Sequence, residues 1–214
     1  MKKEIRLYIE GGWNKASRSG LRRAFRTFLR ELDERAKRRG IKLTPETFRD
    51  RRRTFDAFRR ALEDHADGFI VLLVDSEGPV TGGSPWGHLK CNPGDKWDNP
   101  GCEDRNCHLM VQMMEAWFVA DLSKLEEYFG HGFHSKSLPP TANVEEIAKR
   151  RLEEGLKRAT KATKKGPYRK GAHSAEILRL IRPSEVRRKA PHCKRLFDTL
   201  AAESFDVQPA ATGV

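Results

Sequence analysis

The run Phe69-Ile70-Val71-Leu72-Leu73-Val74, closed by Asp75-Ser76-Glu77, constrains the fold more than any other stretch of this chain. A continuous apolar segment of strand length has no polar face to turn toward water. It therefore predicts a strand buried on both sides, as in a parallel sheet covered by helices. The acids that follow fall where that strand ends. While the chain stays extended, alternate residues point the same way, so Asp75 and Glu77 direct two carboxylates to one side.

A second strand is legible in Ile5-Arg6-Leu7-Tyr8-Ile9, which alternates and then meets Glu10-Gly11-Gly12, where glycine permits a tight loop. Leu21, Ala24, Phe25, Phe28, Leu29 and Leu32 recur at helical spacing up to Arg39, with Gly40 placed to end the helix. Ile41-Lys42-Leu43 reads as a short strand, or Thr44-Pro45 as a helix start. Phe55, Phe58 and Leu62 mark a helix over about 51–65. Alternation of strand and helix predicts an α/β fold: a Rossmannoid layer with a mainly parallel sheet, whose strand carboxyl ends share one functional edge. Glu10 and Asp75 both sit at such ends, and Glu10 joins Asp75 and Glu77 if their strands are neighbours. Carboxylate oxygens are the preferred ligands of Mg2+, with Mn2+ the alternative.

Residues 77–107, rich in glycine and proline and without periodicity, predict a long loop. A helix is expected over His108–Ala120, on which His108, Gln112 and Glu115 form a polar stripe among apolar neighbours. Either these groups satisfy one another, or Glu115 faces the metal with His108 and Gln112 supporting it. Ser123 and Glu126 match a capping box closed by Gly130. Further helices are expected from Asn143 to Arg158, from Ser174 to Ile181 and from Cys193 to Leu200. The division expected is an α/β core over 1–130, a helical basic extension over 131–205 packed on it, and a loose tail over 206–214.

Charge bears on partners. Lysine and arginine total 42 against 30 acids, a net charge of +12, which points to a polyanion. The segment from Lys157 to Gly171 concentrates it: Lys161, Lys164, Lys165, Arg169 and Lys170 suit a phosphate backbone and Tyr168 a stacked base, unless the stretch is a solvated helix end. His173 is a further candidate beside the metal. Cys91, Cys102, Cys107 and His108 lack the tight cysteine pair of most structural zinc sites. Four cysteines at irregular spacing and no apolar segment of signal or spanning length predict a cytoplasmic protein with reduced thiols.

Ile9-Glu10-Gly11 and Val74-Asp75-Ser76-Glu77 resemble the Glu-Gly and Asp-x-Asp signatures of Toprim-like domains, with glutamate at Glu77 where aspartate is usual. Such domains occur in topoisomerases, primases and overcoming-lysogenization-defect nucleases. The resemblance implies a magnesium site supporting phosphodiester chemistry. The chain from about Lys3 to Leu200 also resembles the bacterial family called domain of unknown function 4276. That likeness rests on Leu72 to Pro79, His108 to Phe118 and Thr163-Lys164-Lys165-Gly166, and it implies an ATPase partner in a genome-defence setting. No phosphate-cradling Gly-x-x-x-x-Gly-Lys-Ser/Thr loop is present, so any ATP dependence falls to that partner. Three functions are consistent with these signals: a metal-dependent nuclease, a non-catalytic nucleic-acid-binding or ATPase-regulating subunit, and phosphoryl transfer on a small nucleotide.

Overall fold

A computed structural model describes residues 4–81 and 83–205; the tail expected over 206–214 lies outside them. Four strands, β1 (Glu4–Glu10), β2 (Lys42–Phe48), β3 (Phe69–Asp75) and β4 (Cys107–Met110), form one sheet in the order β2-β1-β3-β4, and every pairing is parallel. All strand carboxyl ends therefore share one edge. The chain leaves β1 for one neighbour and returns to the other, which puts a topological switch point beside the ends of β1 and β3, where ligands bind in open α/β sheets.

The two faces of the sheet follow from alternation along each strand. Ile5, Leu7 and Ile9 of β1, with Val71 and Leu73 of β3, pack under α1 (Lys15–Phe28) and α2 (Arg30–Lys37). Tyr8, Ile70, Leu72 and Val74 pack on the other face with α3 (Arg51–Asp64) and α4 (Pro85–Cys91). All of β3 is buried, as its unbroken apolar run requires. Asn14 caps α1, accepting from Ser17 N at 2.8 Å while the Ser17 hydroxyl bonds back.

Beyond β4 the chain is helical: α5 (Glu115–Ala120), α6 (Leu122–Phe129), α7 (Lys149–Thr160), α8 (Lys170–Leu180), α9 (Pro183–Lys189) and α10 (Pro191–Phe205). Their apolar faces extend the first core, which runs from Ile5 to Leu200. No helix among the described residues is long and apolar enough to cross a membrane.

Several elements differ from the sequence reading. The helix expected over His108–Ala120 is a strand, a turn and a short helix. Its first residues, His108–Met110, pair with Leu73–Asp75 of β3, and a four-residue buried strand carries no period that separates it from a helix. The helix expected over Leu21–Arg39 starts at Lys15 and is interrupted at Leu29. The strand alternative at Ile41 is the correct one, and it runs on through Pro45; β2 is an edge strand, where proline is tolerated. The long loop contains α4, opened by Ser84 and Pro85. Asn143 caps only a single 3-10 turn over Val144–Glu146, and α7 starts after it.

Candidate metal centre

Parallel pairing of β1 with β3 brings Glu10 and Asp75 to one place, and the next turn adds Glu77. One carboxylate oxygen from each of the three lies within 4.8 Å of the other two. Two oxygens bound to one magnesium ion stand at most about 4.2 Å apart, so small side-chain rotations suffice. The donors are all carboxylate oxygens, the chemistry of a hard cation such as magnesium or manganese.

Each acid is held from behind. Asp75 is 3 % exposed, and its Oδ1 accepts from Met114 N at 2.8 Å. Glu77 has φ +63°, a left-handed conformation uncommon outside glycine, and its N–H donates to Gln112 O at 2.9 Å. On its far side His88 Nε2 donates to Ser76 O at 2.8 Å. Glu10 is lifted to about pH 7, first by burial and then by the neighbouring Asp75, with Arg51 and Lys170 offsetting part of the rise.

Each of the three acids also has a basic partner. Arg51 Nη1 donates to Glu10 Oε2 at 2.9 Å and to the Asp75 carbonyl, while its other nitrogens grip Asp95 at 2.9 and 2.5 Å. Lys149 pairs with Glu77. Lys170 Nζ lies 3.3 Å from Asp75 Oδ2 and 3.6 Å from Glu115 Oε2. Burial disfavours the Lys170 ammonium, but Asp75 and Glu115 outweigh that and raise its pKa. The cluster thus sets five carboxylates against three cations, an excess of two negative charges when all are ionised. A divalent ion would cancel that excess.

Glu115 opens α5, wholly buried, and faces this edge as the sequence reading allowed. It lies outside the three-acid group. Its Oε1 accepts from Tyr168 Oη at 2.8 Å, and its buried Oε2 has no hydrogen-bond partner, only the Lys170 charge. Burial, then Asp75, raises its pKa against the opposing pull of Lys170. An acceptor left unpaired beside a carboxylate cluster is a second feature that suits a cation.

Residues 14–201 match the family model described as Domain of unknown function (DUF4276). The chain belongs to that family. Searches of curated proteins and of solved structures give no match.

Other residues singled out in the DUF4276 sequence are placed differently from their assigned roles. His108 is not beside the acids: it lies on β4, its Nε2 donates to Arg105 O and its Nδ1 accepts from Arg195. Burial and the Arg195 charge depress it to about 3, so it stays neutral. Gln112 does support the site, through its carbonyl on Glu77 and through its side chain, which accepts from Lys149 N at 3.1 Å. His173 accepts from Arg169 N and sits among the rings of Tyr128, Phe129 and Tyr168, away from the three acids. Tyr168 is 6 % exposed, so its ring faces the core and offers no platform to a base. Lys161, Lys164, Lys165 and Arg169 are exposed. Lys164 and Lys165 line a concavity with Tyr128 and His131, apart from the cleft that contains Glu10. The four cysteines are free: Cys107 and Cys193 are buried, Cys102 is half-buried and Cys91 exposed.

The sequence reading missed Arg51, Asp95 and Lys149. Arg51 had a signal, because Arg49-Asp50-Arg51 follows β2, whose end lies at the same edge. Asp95 and Lys149 arrive from a loop and from a distant helix, with nothing local to mark them.

Proposed function

We propose that this DUF4276 chain is a magnesium- or manganese-dependent phosphodiesterase of the Toprim-like type acting on nucleic acid, in the bacterial cytoplasm and in a defence system with an ATPase partner. The observation that carries the reading is the group of Glu10, Asp75 and Glu77 at the carboxyl ends of adjacent parallel strands, in a chain of net charge +12. These three acids would hold the ion, which when bound supplies a Lewis acid to a phosphoryl oxygen and a more acidic water. Lys170, half exposed beside Asp75, offers an ammonium to the phosphate. Arg51 fixes Glu10 against the Asp75 backbone.

A cleavage assay on single- and double-stranded DNA and RNA, with magnesium or manganese and with wild type beside Asp75→Asn, tests this. Wild-type turnover should depend on metal, and the variant should lose at least about a hundredfold of it, the scale of a group stabilising transition-state charge, while keeping most of its nucleic-acid affinity. Turnover that survives chelation, or that Asp75→Asn leaves intact, overturns the reading. One observation favours a second reading, a nucleic-acid-binding or ATPase-regulating subunit without catalysis: each acid already has its own cation, in Arg51, Lys170 and Lys149. Calorimetric titration with magnesium separates the two, since the regulatory subunit would take up no ion. Phosphoryl transfer on a small nucleotide is distinguished by indifference to loss of the Lys161–Lys165 charges.

A further inference from the structure

Trp13 is 66 % exposed, the most exposed large apolar side chain among the described residues. Its position is built. Gly11 and Gly12, at φ +141° and +92°, turn the chain directly after Glu10 and press it onto α1. A Cβ on Gly11 would stand 2.5 Å from Leu21, and one on Gly12 2.7 Å from the Arg18 backbone. The indole then rests on the backbone of Gly171, where a Cβ would come within 2.8 Å of Nε1. Gly171 follows Lys170. Trp13 thus lies at the rim of a cleft of about 740 Å³ between α1 and α8, with Glu10, Asp75 and Lys170 in its walls and Arg23, Arg49 and Arg179 around it, offset by a further acid, Glu176, which accepts from the Tyr128 hydroxyl.

An uncovered indole, a cationic wall and a recessed carboxylate pair call for a ligand with a flat apolar ring joined to an anion. A cleft of this size is that of a small-molecule site, too small for a duplex. Asp75, 3 % exposed, is reached only by a group that enters it. Bases inside a duplex are covered by their neighbours, whereas those of a single strand are free to stack on aromatic side chains.

We infer that the Trp13 cleft is a subsite for one unpaired nucleotide of a single-stranded nucleic acid, its base stacked on the indole and its phosphate directed toward Lys170. This rests on the phosphodiesterase reading for the substrate class. It adds that the substrate is engaged as a single strand or as a frayed end.

The test is the fluorescence anisotropy of a labelled short oligothymidylate and of a hairpin duplex, measured in chelator with the full chain. Trp13→Ala should weaken single-strand binding about tenfold, the scale of one lost stacked base, and Trp13→Phe about threefold or less. Gly171→Ala keeps the indole but displaces it, and should fall between these two. Hairpin binding should not change. Unchanged single-strand affinity in Trp13→Ala overturns the inference, as does an equal loss for strand and hairpin. Loss of ATPase-partner binding with unchanged oligonucleotide affinity overturns it too, assigning Trp13 to a protein interface. The two readings fail separately. If wild type cleaves nothing but single-strand binding depends on Trp13, the nuclease reading falls and this subsite stands; if Trp13→Ala cleaves and binds like wild type, only the subsite falls.

Discussion

Glu77 occupies a backbone conformation that an L-residue adopts at a cost, in the one turn that brings a third carboxylate to Glu10 and Asp75. A left-handed residue other than glycine carries a penalty of about 1–2 kcal/mol, and such outliers persist where surrounding structure enforces them. Here the Gln112 carbonyl holds the Glu77 N–H and Lys149 holds the side chain. Two variants separate function from strain. Glu77→Ala and Glu77→Gly both delete the carboxylate and its ion pair, and both should lose metal-dependent turnover. The glycine variant should nonetheless be the more stable by about 1 kcal/mol in urea unfolding, because only it is relieved of the left-handed penalty. Equal stability would mean that the turn stores no strain. Glu10 and Asp75 were readable at this scale because each closes a strand that hydrophobic pattern marks, and Glu77 as the neighbour of Asp75, although a left-handed turn and not extended alternation brings it in. Their cationic partners were not, since Arg51, Lys149 and Lys170 come from three other segments. Lys170 and Tyr168 were read as phosphate and base contacts within a basic segment, but Tyr168 is core, bonded to Glu115, and Lys170 reaches Asp75.

Among the elements, β4 and α5 show where pattern runs out. His108 to Phe118 is apolar throughout apart from His108, Gln112 and Glu115, so spacing fits a helix as well as a strand and turn. Pairing with β3 decides it. The turn that results is functional: it aims Met114 N at Asp75 and sets Glu115 at the start of a buried helix. Another junction, between α5 and α6, is tied to the start of α9 by Asp121. Its carboxylate accepts from Arg182 N, Nε and Nη2 at 2.9, 2.9 and 2.7 Å and from the Ser123 hydroxyl at 3.0 Å. Burial alone would raise its pKa, but these bonds prevail and lower it to about 2. In the unfolded chain an aspartate titrates near pH 4. A lowered folded value means the unfolded state takes up the proton first, so the stabilisation is complete above about pH 4 and is lost as pH falls toward 2. Asp121→Asn should cost about 1–3 kcal/mol at neutral pH, and that deficit should shrink when unfolding is repeated between about pH 4 and pH 2. A deficit independent of pH would show that the charge contributes nothing.

At the scale of the whole molecule, the sheet edge that gathers the acids also needs positive charge around it, since a carboxylate cluster repels a polyanion. The parallel-sheet pattern put the carboxyl ends of the Glu10 and Asp75 strands at one edge but left their adjacency a condition, which the pairing of β1 with β3 meets. The packing of α7 to α10 was not legible either, because sequence periodicity gives each helix a face but not the surface that face meets. That packing divides the basic segment by role. Lys170 turns inward to Asp75, while Lys161, Lys164 and Lys165 stay in water, the last with its Nζ 4.8 Å from the Tyr128 ring centroid. If the exposed three bind phosphates at a distance from the chemistry, replacing them with glutamine should weaken binding to a long nucleic acid without changing kcat on a short one. Each phosphate contact contributes about 0.7 to 0.9 to the slope of log affinity against log salt, so the triple variant should show a slope shallower by about 2 to 3. Lys170→Gln should do the reverse, lowering kcat with a slope change of about one at most. An unchanged slope in the triple variant would leave Lys161, Lys164 and Lys165 as solvated surface, with the path of the nucleic acid to Glu10 and Asp75 along the arginines of the α1 side instead.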